Sequence, residues 1–148
     1  MRRVAIFRGL FALLALTAAT GVVVLGSGCT TARTGSLAAV VHVTESDFKI
    51  AAPKRLNAGD VVLRVRNRGP DGHELLMIRL GPKGLPFRGD GLTVDEDAVE
   101  RNEVGVLEPA DAGAVRNLEV HLAPGRYVLL CNMSGHYLGG MRRVVVVR

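Results

Sequence analysis

The sequence predicts an all-β sandwich interrupted by one short helix, and three observations carry that prediction. Apolar segments with strand-like alternation or β-branched runs recur from Val40 to the C-terminus. Clusters of Gly, Pro, Asn and Asp separate them, and only one stretch carries a helix-start signal. A chain of 148 residues has room for one such domain.

Val41, Val43, Phe48 and Ile50 predict a first strand, bent or bulged around Ser46-Asp47. Asn57 to Asp60 form a turn. In the next segment Val61, Leu63 and Val65 face one side and Arg64, Arg66 and Arg68 the other, as a half-buried strand requires. Gly69 to Gly72 turn the chain into a mostly apolar strand, His73 to Leu80, in which Met77 is a core residue. Gly81 to Gly91 is a loop, and Thr93-x-x-Glu96 has the form of a capping box, predicting a short helix to about Arg101 within a middle insertion, residues 81–112. Leu118, Val120 and Leu122 alternate with polar neighbours. Pro124-Gly125 then leads into a strand from Tyr127 to Cys131, with Tyr127 in the core. The four consecutive valines before Arg148 predict a last strand buried on both faces.

Ahead of this domain, residues 1–8 carry three arginines and residues 9–32 no charge at all, the layout of an export signal. With those arginines set aside, 16 basic residues face 14 acidic ones. No basic stripe or aromatic stacking set remains, which excludes nucleic acid as a partner. Leu25 to Cys29 resembles a bacterial lipobox, with Gly26 in the usual leucine place and Leu25 one position early, so Cys29 is the predicted site of lipid attachment. The alternative is an uncleaved anchor, since 24 uncharged residues can span a hydrocarbon core of about 30 Å. Three segments follow: a signal or anchor (1–28), a small, polar spacer (29–40) and a folded domain (41–148). Either anchor holds the domain outside the cytoplasm, in a periplasm or its equivalent, at a membrane.

If Cys29 carries lipid, Cys131 is the one thiol left. It opens the segment Cys131-Asn132-Met133-Ser134-Gly135-His136-Tyr137-Leu138-Gly139-Gly140-Met141, a C-x₄-H-x₄-M spacing in a glycine-bearing loop between two apolar strands. A thiolate, two imidazoles and a weak axial thioether form a copper electron-transfer site, whereas zinc takes Cys, His or carboxylate. The second histidine comes from elsewhere, and His73, following a turn and opening a strand, is the candidate. Met133 competes with Met141 for the axial place. His42 and His121 are expected on exposed strand faces.

These residues resemble the cupredoxins, small Greek-key β-sandwiches with one mononuclear copper. Gly72-His73-Glu74-Leu75, the Cys131–Met141 loop and Pro124 to Cys131 carry the resemblance, and the loop spacing is similar to that of sulfocyanin, auracyanin and rusticyanin. It implies one copper ion cycling between Cu(I) and Cu(II) on His73, Cys131, His136 and Met141. It also implies a backbone N–H of residue 74 donating to the thiolate, and single-electron exchange with membrane or extracytoplasmic redox proteins through His136, flanked by Tyr137 and Leu138. The pattern departs from plastocyanin at Glu74, where asparagine usually bridges the ligand loops. No second loop cysteine is present for a dinuclear copper site. Neither a substrate pocket nor a nucleophile with its base is visible, so a monomeric electron carrier is expected and not an enzyme. The rival readings are a copper carrier or chaperone and an accessory domain of a larger membrane enzyme.

Overall fold

The computed structural model describes residues 37–148; the predicted export segment, Cys29 and most of the predicted spacer lie outside them. Nine strands form two sheets. They are β1 (Ala39–Ser46), β2 (Lys49–Ala51), β3 (Arg55–Leu56), β4 (Gly59–Asn67), β5 (His73–Arg79), β6 (Glu103–Ala110), β7 (Val115–Leu122), β8 (Gly125–Leu130) and β9 (Arg142–Val147). One sheet has the order β2-β1-β4-β7 and the other β3-β9-β8-β5-β6. Pairing is antiparallel except for β1 with β4 and β3 with β9. Among the described residues no helix is long and apolar enough to cross a membrane.

The alternation of β4 sets the register of its sheet. Val61, Leu63 and Val65 are buried and Arg64 and Arg66 are exposed, so a slip by one residue would put two arginines into the core. Those valines and Leu63 meet Leu75, Met77, Leu129, Val145 and Val147 of the facing sheet. Burying one such side chain contributes about 1.5–3 kcal/mol.

A second apolar cluster lies on the outer face of the five-stranded sheet. Leu76, Ile78, Val128 and Leu130 point away from the main core and are covered by Val94 and Val99. Both come from the middle insertion, which explains why β5 reads as apolar on both faces.

Four sequence expectations change. The predicted bend at Ser46-Asp47 is a hairpin, with β2 pairing back on β1 and Phe48 at φ 57°. The predicted capping box at Thr93 does not form: the Thr93 side chain bonds Asp90, and helix α1 (Glu96–Val99) starts at Asp95, whose carboxylate accepts from the Ala98 N–H. A 3₁₀ turn, Glu100–Asn102, follows, and β6 then occupies part of the insertion where no strand was predicted. Last, β9 is not buried on both faces. Val145 and Val147 are buried, Val144 is 42% exposed and Val146 half-buried, because the insertion covers β5 and β8 and stops short of β9.

Candidate metal centre

Strand ends bring together three residues far apart in sequence. His73 is the first residue of β5, Cys131 follows β8 directly, and His136 lies midway along the loop joining β8 to β9. β5 and β8 are paired neighbours, Leu76 opposite Leu130, which sets His73 beside Cys131. A ligand atom from each of the three lies within 4.8 Å of the others, and Cys131 Sγ is 3.4 Å from His136 Nδ1. His73 and Cys131 are fully buried, whereas His136 is half-buried.

Loop turns hold His136 in place. Its N–H donates to Met133 O at 2.9 Å, and the Met141 N–H donates to His136 O at 2.9 Å. The Cys131 N–H donates to Met141 O at 3.1 Å, closing the loop base. Met141 is fully buried at that base, within the main core. Met133, half-buried, packs against the same core. Phe48, on the β1–β2 turn, packs edge-on to the His136 ring at 5.7 Å and lies against Gly139. A Cβ at Gly139 would sit 2.2 Å from the Phe48 ring, so only glycine permits this approach.

The two nitrogens of His73 have different surroundings. Nε2 lies 3.1 Å from Asp47 Oδ1, and a carboxylate there makes it the protonated nitrogen. Nδ1 is buried with no hydrogen-bond partner. A buried nitrogen lone pair left bare costs free energy unless something binds it. Gly69 makes room for the pair, since a Cβ would meet Asp47 Oδ1 at 2.6 Å and His73 Nε2 at 2.9 Å. A soft sulfur, a free imidazole nitrogen and a second imidazole, drawn from residues whose ligand atoms lie within 4.8 Å of one another, fit the donor set of a copper ion.

Burial pushes the Cys131 thiol up, against N–H donation from Met133 and Glu74 to its sulfur. The residue-74 donor implied by the family pattern is therefore present. Glu74 also supplies a side-chain bridge in place of asparagine, its Oε1 accepting the Asn132 N–H at 2.9 Å. Burial pushes the Glu74 carboxyl up. Asn132 continues the clamp outward: its amide exchanges hydrogen bonds with the Val94 backbone at 2.6 and 3.0 Å and donates to Glu96 at 2.6 Å. The middle insertion thus grips the residue next to the cysteine.

Sequence reasoning found the three clustered residues and missed Asp47, Asn132 and Phe48. Tyr137 packs on Phe87 with ring centres 5.3 Å apart, and the Arg142 guanidinium lies over it at 4.7 Å. Leu138 is exposed, as expected beside His136. His42 and His121 are both exposed, and His121 bonds Asp60 at 2.7 Å.

No protein-family model matches the sequence, and no curated protein does. Solved structures match it in fold. Reduced auracyanin from the photosynthetic bacterium Roseiflexus castenholzii is 18% identical over 75% of this chain and 98% of its own, with a TM-score of 0.57. Auracyanin A from Chloroflexus aurantiacus, described as a "blue" copper protein, is 17% identical over 74% of this chain and 98% of its own, at 0.55. Rusticyanin from Thiobacillus ferrooxidans is 18% identical over 74% of this chain and 77% of its own, at 0.53. The fold is that of the cupredoxins. Within it, the His73–Cys131–His136 cluster is consistent with a single copper ion.

Proposed function

We propose that this chain is a membrane-tethered, extracytoplasmic blue copper protein that passes single electrons to and from redox proteins. His73 through Nδ1, Cys131 and His136 would hold the ion, with the buried Met141 as a fourth, weaker ligand. The observation that carries this reading is the buried, unpartnered His73 Nδ1 in the same cluster as a buried thiol and a second imidazole.

Bound copper would supply a one-electron couple whose potential responds to the thioether ligand and to hydrogen bonds at the sulfur. The chain's own residues do the rest. Asp47 holds the His73 proton on Nε2, Glu74 and Met133 N–H groups stabilise charge on sulfur, and the clamped loop resists movement. Little movement on electron gain or loss favours fast exchange. His136, half-buried beside exposed Phe48 and Leu138, is the route to the surface.

Cys131→Ser tests the site. The copper-loaded parent should show an intense visible charge-transfer band that the variant lacks, and a retained band would sink the assignment. A copper carrier needs a ligand that an acceptor can reach, and two of the three clustered residues are fully buried. Against a moderate Cu(I) chelator the loaded chain should keep its metal while stopped-flow reduction is rapid; fast metal loss with slow reduction would favour the carrier. Lipid at Cys29 predicts an acylated N-terminus by mass spectrometry, and an intact Met1–Gly28 on the mature chain would instead support an uncleaved anchor.

A further inference from the structure

Charge is sorted across the five-stranded sheet. No Asp or Glu occurs after Glu119 or between residues 48 and 59, so β3, β8 and β9 carry cations only. Asp95, Glu96, Asp97, Glu100, Glu103 and Glu108 gather on α1, the turn after it and β6, at the other edge of the β3-β9-β8-β5-β6 order. The cationic edge contains an open groove of about 880 Å³. Its floor is Val144 and Val146, on the face of β9 that the insertion leaves bare, and its rim is Lys54, Arg55, Arg142 and Arg143. None of the four pairs with a carboxylate among the described residues.

Two of the rim arginines are already positioned. Arg143 Nε donates to Ala52 O at 3.0 Å, and Arg142 Nη1 donates to Tyr137 O while its guanidinium lies over the Tyr137 ring. Tyr137 adjoins His136, so the cationic rim runs from the sheet edge toward the half-buried member of the ligand cluster.

We propose that the β3–β9 groove docks an acidic surface of the protein that exchanges electrons with this chain. An apolar floor ringed by cations is complementary to an apolar contact ringed by carboxylates. Such charge pairing raises the encounter rate and sets orientation more than affinity. A protein partner is favoured over an anionic lipid headgroup because the rim leads to His136, where only a redox-active occupant gains from the contact. The electron-exchange half of this inference rests on the copper reading above; the acidic-surface half does not.

The test uses the full chain in neutral detergent, metal-free, with a decaglutamate peptide as probe. Binding is read by titration and by amide NMR shifts. Lys54→Glu/Arg55→Glu reverses the rim, and Arg64→Glu/Arg66→Glu makes the same net-charge change on the exposed face of β4 in the other sheet. Decaglutamate should shift amides of β3, β9 and the loop, with the rim variant binding about five- to tenfold more weakly and the β4 variant within about twofold of the parent. Equal weakening in both variants would reduce the effect to net charge and overturn the proposal. So would rim-dependent binding to phosphatidylglycerol vesicles with decaglutamate binding unchanged, which would assign the groove to a lipid surface. Because the probe needs no copper, failure here is distinct from failure of the blue band.

Discussion

The metal loop and the middle insertion teach opposite lessons about reading a chain. The loop, Cys131 to Met141, is held by chemistry that leaves few choices of residue: a cysteine, an imidazole and, at Gly139, a glycine where the backbone crowds the Phe48 ring. The insertion, residues 81–112, is held by generic forces. It lays Val94 and Val99 on an outer sheet face and caps a four-residue helix with Asp95. Many sequences could do the same, so little in its composition announces its role. Yet the two are joined, because Asn132 of the loop bonds Val94 and Glu96 of the insertion.

If the insertion's contribution is packing and the loop's is chemistry, variants in each should separate the two. Leu76→Ala opens a cavity under the insertion and should cost about 2–5 kcal/mol by chemical denaturation. Copper bound to the folded fraction should keep its spectrum. A changed spectrum would show that the outer cluster shapes the site directly.

Asp47→Ala addresses the loop's chemistry from outside the loop. It removes the carboxylate that keeps the His73 proton on Nε2 and should weaken copper binding about 10- to 100-fold, read by competition with a chelator. Asp47→Asn, which can still accept a hydrogen bond, should recover much of the loss. Equal affinity in all three proteins would remove Asp47 from the account.

Gly139→Ala should destabilise by about 1–3 kcal/mol, because the new methyl meets the Phe48 ring. Adding Phe48→Ala should relieve the clash, so the double variant should be more stable than the sum of the singles predicts. Strict additivity would mean that ring and loop do not press on each other.

The smallest effect is expected on β1. Glu45, fully buried on β1, pairs with Arg116 at 2.6 Å and keeps one oxygen without a partner. Burial pushes its carboxyl up from 4.5 to about 7, against the pull of Arg116. The folded chain therefore keeps a proton that the unfolded chain has lost. Its contribution is full below the ordinary carboxylate range and is lost as pH rises from about 4.5 through about 7. Relative to Glu45→Gln, the metal-free parent should lose stability between pH 5 and pH 8, measured by denaturant midpoints. A constant difference would contradict the shift.

What was legible in the sequence followed from periodicity and ligand chemistry. β4 was readable because Leu63 and Val65 alternate with Arg64 and Arg66, and His73 because it opens a strand after a turn. β6 was not, since its residues are mostly half-buried without alternation and Pro109 interrupts its polar end. The valines of β9 suggested two buried faces, but β-branched residues fit any pleated surface and do not report what covers it. Asp47 escaped notice because a carboxylate 26 positions before its histidine carries no local signal, and the β1–β2 hairpin that delivers it was read as a bend.

Three residues, gathered from the start of β5 and from the loop after β8, are proposed to hold one copper ion. A visible absorption titration of the metal-free chain with Cu(II) tests this most directly. An intense charge-transfer band should grow linearly and stop at one equivalent, and it should be absent from Cys131→Ser and displaced or weakened in His73→Ala. A weak band that continues past one equivalent, or one indifferent to both substitutions, would contradict it.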